Sequence, residues 1–264
     1  MTELAGSGAL VTGGAGAIGV AVARRLLALG AEVTLADVDA DGGPETAARL
    51  GCHFVRTDVR RADDLTAAVQ AAGARGPLRF VHLNAGIVLE RSYDETDESS
   101  YRRIVGVNLD GVFWGIRAAV PALRSGGGGA IVASASLAGL VPVPLDPLYA
   151  MTKSAVISLV RSIGPGLGAE GIRLNCVCPG FVDTPMAPAV VREMGFPLLR
   201  VDDVADAVMA IAAGDDNSQA YVIQPGLEPF AYRFRGVPGA RTHGDGGERT
   251  VSATGIVGSA APTG

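Results

Sequence analysis

Ala9-Leu10-Val11, followed by Thr12-Gly13-Gly14-Ala15-Gly16-Ala17-Ile18-Gly19, decides how the rest of the chain is read. Three apolar residues make a short strand with both faces buried, and the glycines then permit a tight turn. Directly after it, Ile18, Val22, Leu26 and Leu29 recur at three- and four-residue steps, which predicts a helix over Ala17–Leu29. Outward from this unit the alternation continues. Strands are predicted at Glu32–Ala36, Cys52–Arg56, Arg79–Leu83, Ala130–Ala133, Arg173–Val177 and Ala220–Gln224. Helices are predicted at Asp63–Ala72, Tyr101–Leu123, Leu148–Gly168 and Asp202–Ala213. Each strand is brief, largely apolar, and bounded by Gly, Pro, Asp or Asn. The fold class is therefore α/β: a doubly wound, Rossmann-type parallel sheet of about seven strands with helices on both faces. Residues 1–235 form this single domain.

Composition narrows the function. The chain has 264 residues, 48% of them hydrophobic, and a formal charge of −5, which excludes overall disorder and disfavours a nucleic-acid partner. No apolar stretch reaches the ~18 uncharged residues of a membrane helix, and MTELAGSG lacks the regions of a signal peptide. The three cysteines, Cys52, Cys176 and Cys178, suggest no disulfide framework. A soluble, cytoplasmic protein is expected. The 37 glycines are roughly twice the usual share. Eight of them lie in residues 236–264, a stretch too poor in apolar side chains to offset its own ordering, and so expected to be a flexible or partner-docked tail.

A few of the remaining glycines point to a ligand, while most of the others punctuate strand and helix ends. At Gly13, Gly16, Ala17, Ile18 and Gly19 the backbone can approach a pyrophosphate, with the free N–H groups of a helix N-terminus facing it. Asp37 closes the second strand, eighteen residues past Gly19, where a carboxylate can accept from the ribose hydroxyls of NAD and repel the 2′-phosphate of NADP. Asp58 and Val59 follow the third strand, within reach of the adenine, and Asn84, Ala85 and Gly86 follow the fourth. All lie at carboxyl ends of strands, where open α/β sheets bind their ligands.

Tyr149 and Lys153 stand four residues apart on a predicted helix, hence on one face. A neighbouring ammonium, or an oxidised nicotinamide, would lower the tyrosine pKa from its usual value near 10 and fit it for general acid/base work. His53, His82 and His243 lack metal-ligand spacing, and Cys176-Val177-Cys178 lacks a second pair of ligands. No metal is expected.

Thr12 through Gly19, Asn84-Ala85-Gly86, Asn108, Ser136, Tyr149/Lys153, Asn175 and Pro179-Gly180 occur in an order and spacing that resembles the short-chain dehydrogenase/reductase family over roughly residues 7–226. The resemblance implies Tyr149 as general acid/base and Ser136, thirteen residues earlier, as the holder of the substrate oxygen, with Ser134 the rival. Lys153 would bind the nicotinamide ribose and depress the tyrosine pKa. Asn108 would anchor a water on the proton path. Pro179, Gly180, Val182 and Thr184 would border the nicotinamide. A homodimer or homotetramer built on the long helices after the fourth and fifth strands is implied as well.

Two positions depart from the usual pattern. Ala17 stands where shorter members carry glycine, giving the spacing of the extended members that act on nucleotide sugars. Leu83 replaces an asparagine and is expected to cost a hydrogen bond in the sheet. Residues 185–198, with Met186, Val190, Met194 and Phe196, are expected to cover the substrate opposite Pro142, Val143, Leu145 and Leu148. The function expected is NAD-dependent interconversion of a secondary alcohol and a ketone. The rivals are an NADPH-dependent biosynthetic ketoreductase, a sugar-nucleotide epimerase and a non-catalytic dinucleotide sensor.

Overall fold

A computed structural model describes residues 4–235, together with the backbone of 240–244 and 247–251. Eight strands join in the order β3-β2-β1-β4-β5-β6-β7-β8. Seven run parallel: β1 (Gly8–Thr12), β2 (Glu32–Asp37), β3 (His53–Arg56), β4 (Leu78–Leu83), β5 (Gly129–Ser134), β6 (Ile172–Pro179) and β7 (Ala220–Ile223). The eighth, β8 (Phe230–Ala231), adds a two-residue antiparallel edge that the apolar pattern does not predict. A separate unit begins at Tyr232. Within it, β9 (Ala240–Gly244) and β10 (Gly247–Val251) pair as an antiparallel hairpin. The remainder of the expected tail, 236–239, 245–246 and 252–264, lies outside the described residues.

Alternation along each central strand divides the core in two. In β1, Ala9 and Val11 face one side with residues of α1 (Ala17–Ala28), α2 (Gly42–Leu50) and α8 (Val201–Ala213). Leu10 faces the other, with α3 (Ala62–Gly73), α5 (Gly111–Ser125) and α6 (Pro147–Gly168). Leu10, Leu26, Phe80, Ile131 and Leu174 are wholly buried, each contributing about 1.5–3 kcal/mol relative to exposure. Two helices, α4 (Glu98–Val105) and α7 (Ala189–Glu193), lie in the connections after β4 and β6. Because β1 sits between β2 and β4, the chain leaves β1 and β4 in opposite directions, and a crevice opens at their carboxyl ends.

Two helical regions also differ from the sequence pattern. α2 is not predicted, since Gly42-Gly43-Pro44 weakens any helical signal. Pro44 occupies the first turn, where no N–H is needed, and a Cβ on Gly43 would collide with the Phe54 ring. The helix predicted over Tyr101–Leu123 is interrupted: α4 passes through a π-helical turn, Gly106–Asp110, into α5. Such single turns widen a helix locally and recur at functional sites. Here the turn carries Asn108.

Candidate active site

The glycine turn is shaped by side chains it does not have. Gly13 takes φ +60, and a Cβ there would stand 2.9 Å from the Ala85 Cα. A Cβ on Gly19 would collide with the Gly13 carbonyl oxygen, and one on Gly14 would stand 2.8 Å from Leu35 Cβ. Gly16 caps α1 without a side chain, and no acidic residue occupies the first turn, so nothing there competes for an anion. Ala17 is exposed at the helix start, so its methyl group disturbs no packing. Ile18 is half-buried beside it. This cradle, which a single Cβ would fill, fits a dinucleotide pyrophosphate.

Asp37 lies at the mouth of the turn. Its Oδ2 accepts from the Ala15 N–H at 3.0 Å and its Oδ1 from the Asp39 N–H at 3.1 Å, which fixes the carboxylate beside the glycines. Asp58 follows β3 as expected. It forks with the Arg60 guanidinium, with contacts of 2.6 and 2.8 Å, and that pairing lowers its pKa. The Val59 side chain is buried against Gly111.

The turn after β4 is sewn to the glycine turn. Thr12 Oγ1 accepts from the N–H groups of Asn84 (2.9 Å) and Ala85 (3.2 Å). Asn84 Nδ2 donates to the Gly13 carbonyl at 3.2 Å. Ser134 Oγ donates to Asn84 Oδ1 (3.2 Å) and lies 3.1 Å from His82 Nε2. Since the serine proton goes to Asn84, Nε2 must be the protonated nitrogen of His82 and donate. Nδ1 is then a buried acceptor with no partner, and burial pushes the imidazole down to about 3. The chain of bonds occupies Ser134 inside the sheet, which leaves Ser136 as the serine that faces Tyr149.

The chemical groups come from β5 and α6. Asp146 caps α6, accepting from the Tyr149 N–H at 3.0 Å, and Pro147 follows at the first helical position. The half-buried Tyr149 phenol has its pKa raised, chiefly by burial, with the Ser136 hydroxyl opposing the shift and Asp146 and Cys178 adding to it. Lys153 Nζ sits 5.6 Å from the centre of the tyrosine ring and donates to the Ser134 carbonyl at 2.7 Å. Its own burial brings it down to about 8. Asn108 is fully buried: Oδ1 accepts from Ile87 N–H (2.8 Å), while Nδ2 donates to Ile87 O (2.9 Å) and Thr152 Oγ1 (3.2 Å). Thr152 Oγ1 in turn donates to the Tyr149 carbonyl at 2.8 Å. The side chain of Asn108 is thus committed to protein partners on both sides. A Cβ on Gly86 would lie 3.4 Å from Lys153 Nζ, so this glycine floors the same spot.

Across the crevice, β6 ends at Pro179 and Gly180 N–H donates to the Ile223 carbonyl at 2.9 Å. Val182 bridges to Leu199, and Thr184 N–H donates to Val182 O at 2.8 Å. The segment beyond exposes Met186, Val190, Met194 and Phe196, the last edge-on to Phe181 at 5.5 Å. Arg192 binds Asp183 at 2.5 Å and the Thr184 carbonyl at 2.9 Å, so its charge is already matched. Leu145 and Val141 are exposed on the turn before α6.

A sequence model of the family described as "short chain dehydrogenase" matches residues 7–195. The chain belongs to the short-chain dehydrogenases. A trans-4-hydroxycyclohexanecarboxylate dehydrogenase from Sinomonas cyclohexanicum is 35% identical over 225 residues, covering 79% of this chain and 86% of the relative. A 3-alpha-(or 20-beta)-hydroxysteroid dehydrogenase from Mycobacterium bovis is 38% identical, covering 73% and 75%. Among solved structures, a 3-ketoacyl-(acyl-carrier-protein) reductase from Brucella melitensis, complexed with NADH, superposes with a TM-score of 0.78 at 29% identity, covering 85% of this chain and 99% of its own.

In this short-chain dehydrogenase, the structure gathers Gly13, Gly19, Asp37, Asn84, Gly86, Ser136, Tyr149 and Lys153 along one crevice, and leaves Val59 in the core. Leu83 is buried and packs on Gly115, where a Cβ would stand 2.6 Å from it. Cys176 and Cys178 are buried on one face of β6. Sequence reasoning missed the His82–Ser134 contact, Thr152 and the Asp146 cap. One signal was available: Lys153 is the only lysine among 22 Lys and Arg residues. No helix of the described residues is long and apolar enough to cross a membrane, and none of their His, Cys, Asp and Glu clusters could hold a metal.

Proposed function

We propose that this short-chain dehydrogenase, an oxidoreductase of hydroxyl and carbonyl groups, interconverts an apolar alicyclic secondary alcohol and its ketone with NAD. The observation that carries the reading is the Tyr149 phenol, with the Ser136 hydroxyl beside it and the buried Lys153 5.6 Å from its ring. NAD, when bound, supplies the hydride acceptor and a positive charge. Gly13, Gly16 and Gly19 would hold its pyrophosphate, and Lys153 its nicotinamide ribose. Ser136 would hold the substrate oxygen by hydrogen bonding. Tyr149 would take the hydroxyl proton of the alcohol as its carbinol C–H bond breaks, or return it to the carbonyl oxygen in reduction. Burial raises its pKa in the protein alone, and the positive charge of bound NAD would lower it towards the phenolate that accepts this proton.

Asp37 supports NAD over NADP, because a fixed carboxylate beside the glycine turn repels a 2′-phosphate. The exposed apolar groups of residues 181–196, with Arg192 neutralised, favour an uncharged substrate. Relatives named for hydroxysteroids and, from Lavandula x intermedia, for borneol support an alicyclic ring. Pairing of two copies along α5 and α6 is supported by Phe113, Trp114 and Arg117, which stack on the outer surface of α5. Absorbance of NADH during incubation with cyclohexanol, borneol and a hydroxysteroid, in parallel with NADP, tests the proposal. Turnover by NADP alone, or none with any of the three, overturns it.

A further inference from the structure

One carboxylate fastens the loop after β4 to the helix that carries Tyr149. Asp146 is 7% exposed, and its two oxygens serve different elements. Oδ1 caps α6 at the Tyr149 N–H. Oδ2 accepts from the N–H groups of Leu89 (2.9 Å) and Glu90 (3.0 Å), residues far away in the chain. Capping requires only the first oxygen, so the second needs another explanation.

Glu90 supplies part of it. Its φ is +52, the left-handed region, which costs a non-glycine residue on the order of 1 kcal/mol and persists only under outside restraint. Two charge-assisted bonds from Asp146 provide that restraint. At its other end the same loop is held by Asn108, through both the N–H and the carbonyl of Ile87. Gly86 lies against Lys153 Nζ. Residues 86–90 therefore run from the lysine to the first turn of the tyrosine's helix, and close one side of the crevice.

We infer that Asp146 is a positioning residue, which holds residues 89–90 as a fixed wall of the substrate site in register with Tyr149. The role as a substrate wall rests on the proposed function; the clamp itself does not. It joins the loop after β4 to the first turn of α6.

Asp146→Ser separates the two roles, since a serine oxygen can cap α6 but is too short to reach the loop. In the full-length protein, amide hydrogen exchange at Leu89 and Glu90 should quicken by about tenfold or more while the amides of α6 stay protected. With NAD and cyclohexanol, KM for the alcohol should rise about tenfold and kcat should stay within about twofold. A merely structural role would lower kcat through lost folded enzyme and leave KM alone. Unchanged exchange at residues 89–90 overturns the clamp, and so does a loss confined to kcat. Asp146→Asn, the same size, must turn its NH2 towards one set of donors and should also raise exchange or KM; wild-type values for both would overturn the inference. Failure of the wild-type enzyme to oxidise cyclohexanol strikes the proposed function, while exchange still judges the clamp.

Discussion

The two ends of the crevice are specified in opposite ways. Around the glycine turn, shape comes from missing side chains: Gly13, Gly14 and Gly19 are places where one added carbon meets backbone or Leu35. Around α6, shape comes from crowded polar side chains, with Asn108, Thr152, Lys153 and Asp146 all buried and hydrogen-bonded. A cofactor needs close approach to a backbone, which any side chain would block. Proton transfer needs a few groups held in fixed orientation, and only bonds between them can fix it.

The contrast breaks if the two ends respond alike to substitution. Tyr149→Phe removes one oxygen from the crowded end and should lower turnover about a thousandfold while NADH binding, followed by fluorescence, stays normal. Retained activity would remove Tyr149 from the chemistry. The crowded end also makes a spectroscopic prediction. Because Lys153 is the sole lysine, protein labelled only at lysine gives one side-chain NMR signal, which should titrate at about 8 rather than 10.5. Its folded pKa lies below the unfolded one, so between those values the unfolded chain binds the proton more tightly. Stability should therefore rise with pH across that window, and Lys153→Met should flatten the rise. A signal titrating above 10 would show that burial does not govern the ammonium.

At the open end, Gly19→Ala should cost about 1–3 kcal/mol, because its methyl group would meet the Gly13 carbonyl oxygen and force the turn apart. Denaturant midpoints would measure that cost, and NADH affinity should fall with it. An alanine tolerated without change in either would mean that close packing does not shape the cradle. The smallest effect expected is that of Asp37→Ala. It removes a surface carboxylate, and should narrow the preference for NAD over NADP about tenfold in kcat/KM without touching kcat for NAD. An unchanged preference would refute the ribose contact.

Legibility followed the same division. The strand, glycine turn and helix of the first unit could be read locally, because a missing Cβ and an apolar period are properties of neighbouring residues. Tyr149 and Lys153 were legible as a pair because four residues make one helical turn. Their electrostatics were not: burial raises the tyrosine pKa, and the lysine ammonium is engaged with the Ser134 carbonyl. The pairing of Asp58 with Arg60, which turns back to it, was not legible either. The two serines of β5 and its exit could be ranked only by spacing, whereas the His82 and Asn84 bonds settle which one is already committed.

The order of apolar and glycine residues by itself determined a doubly wound parallel sheet with its ligand crevice at the strand ends, because each βα unit carries its own hydrophobic period and its own turn. Tertiary structure alone decided how the groups around the crevice are charged and held. Asp146 reaches Leu89 and Glu90 across more than fifty residues, and Asn108 reaches Ile87 and Thr152 from a helical turn that no periodicity announces. Burial and hydrogen bonding are sums over neighbours in space, and those neighbours exist only once the chain has folded.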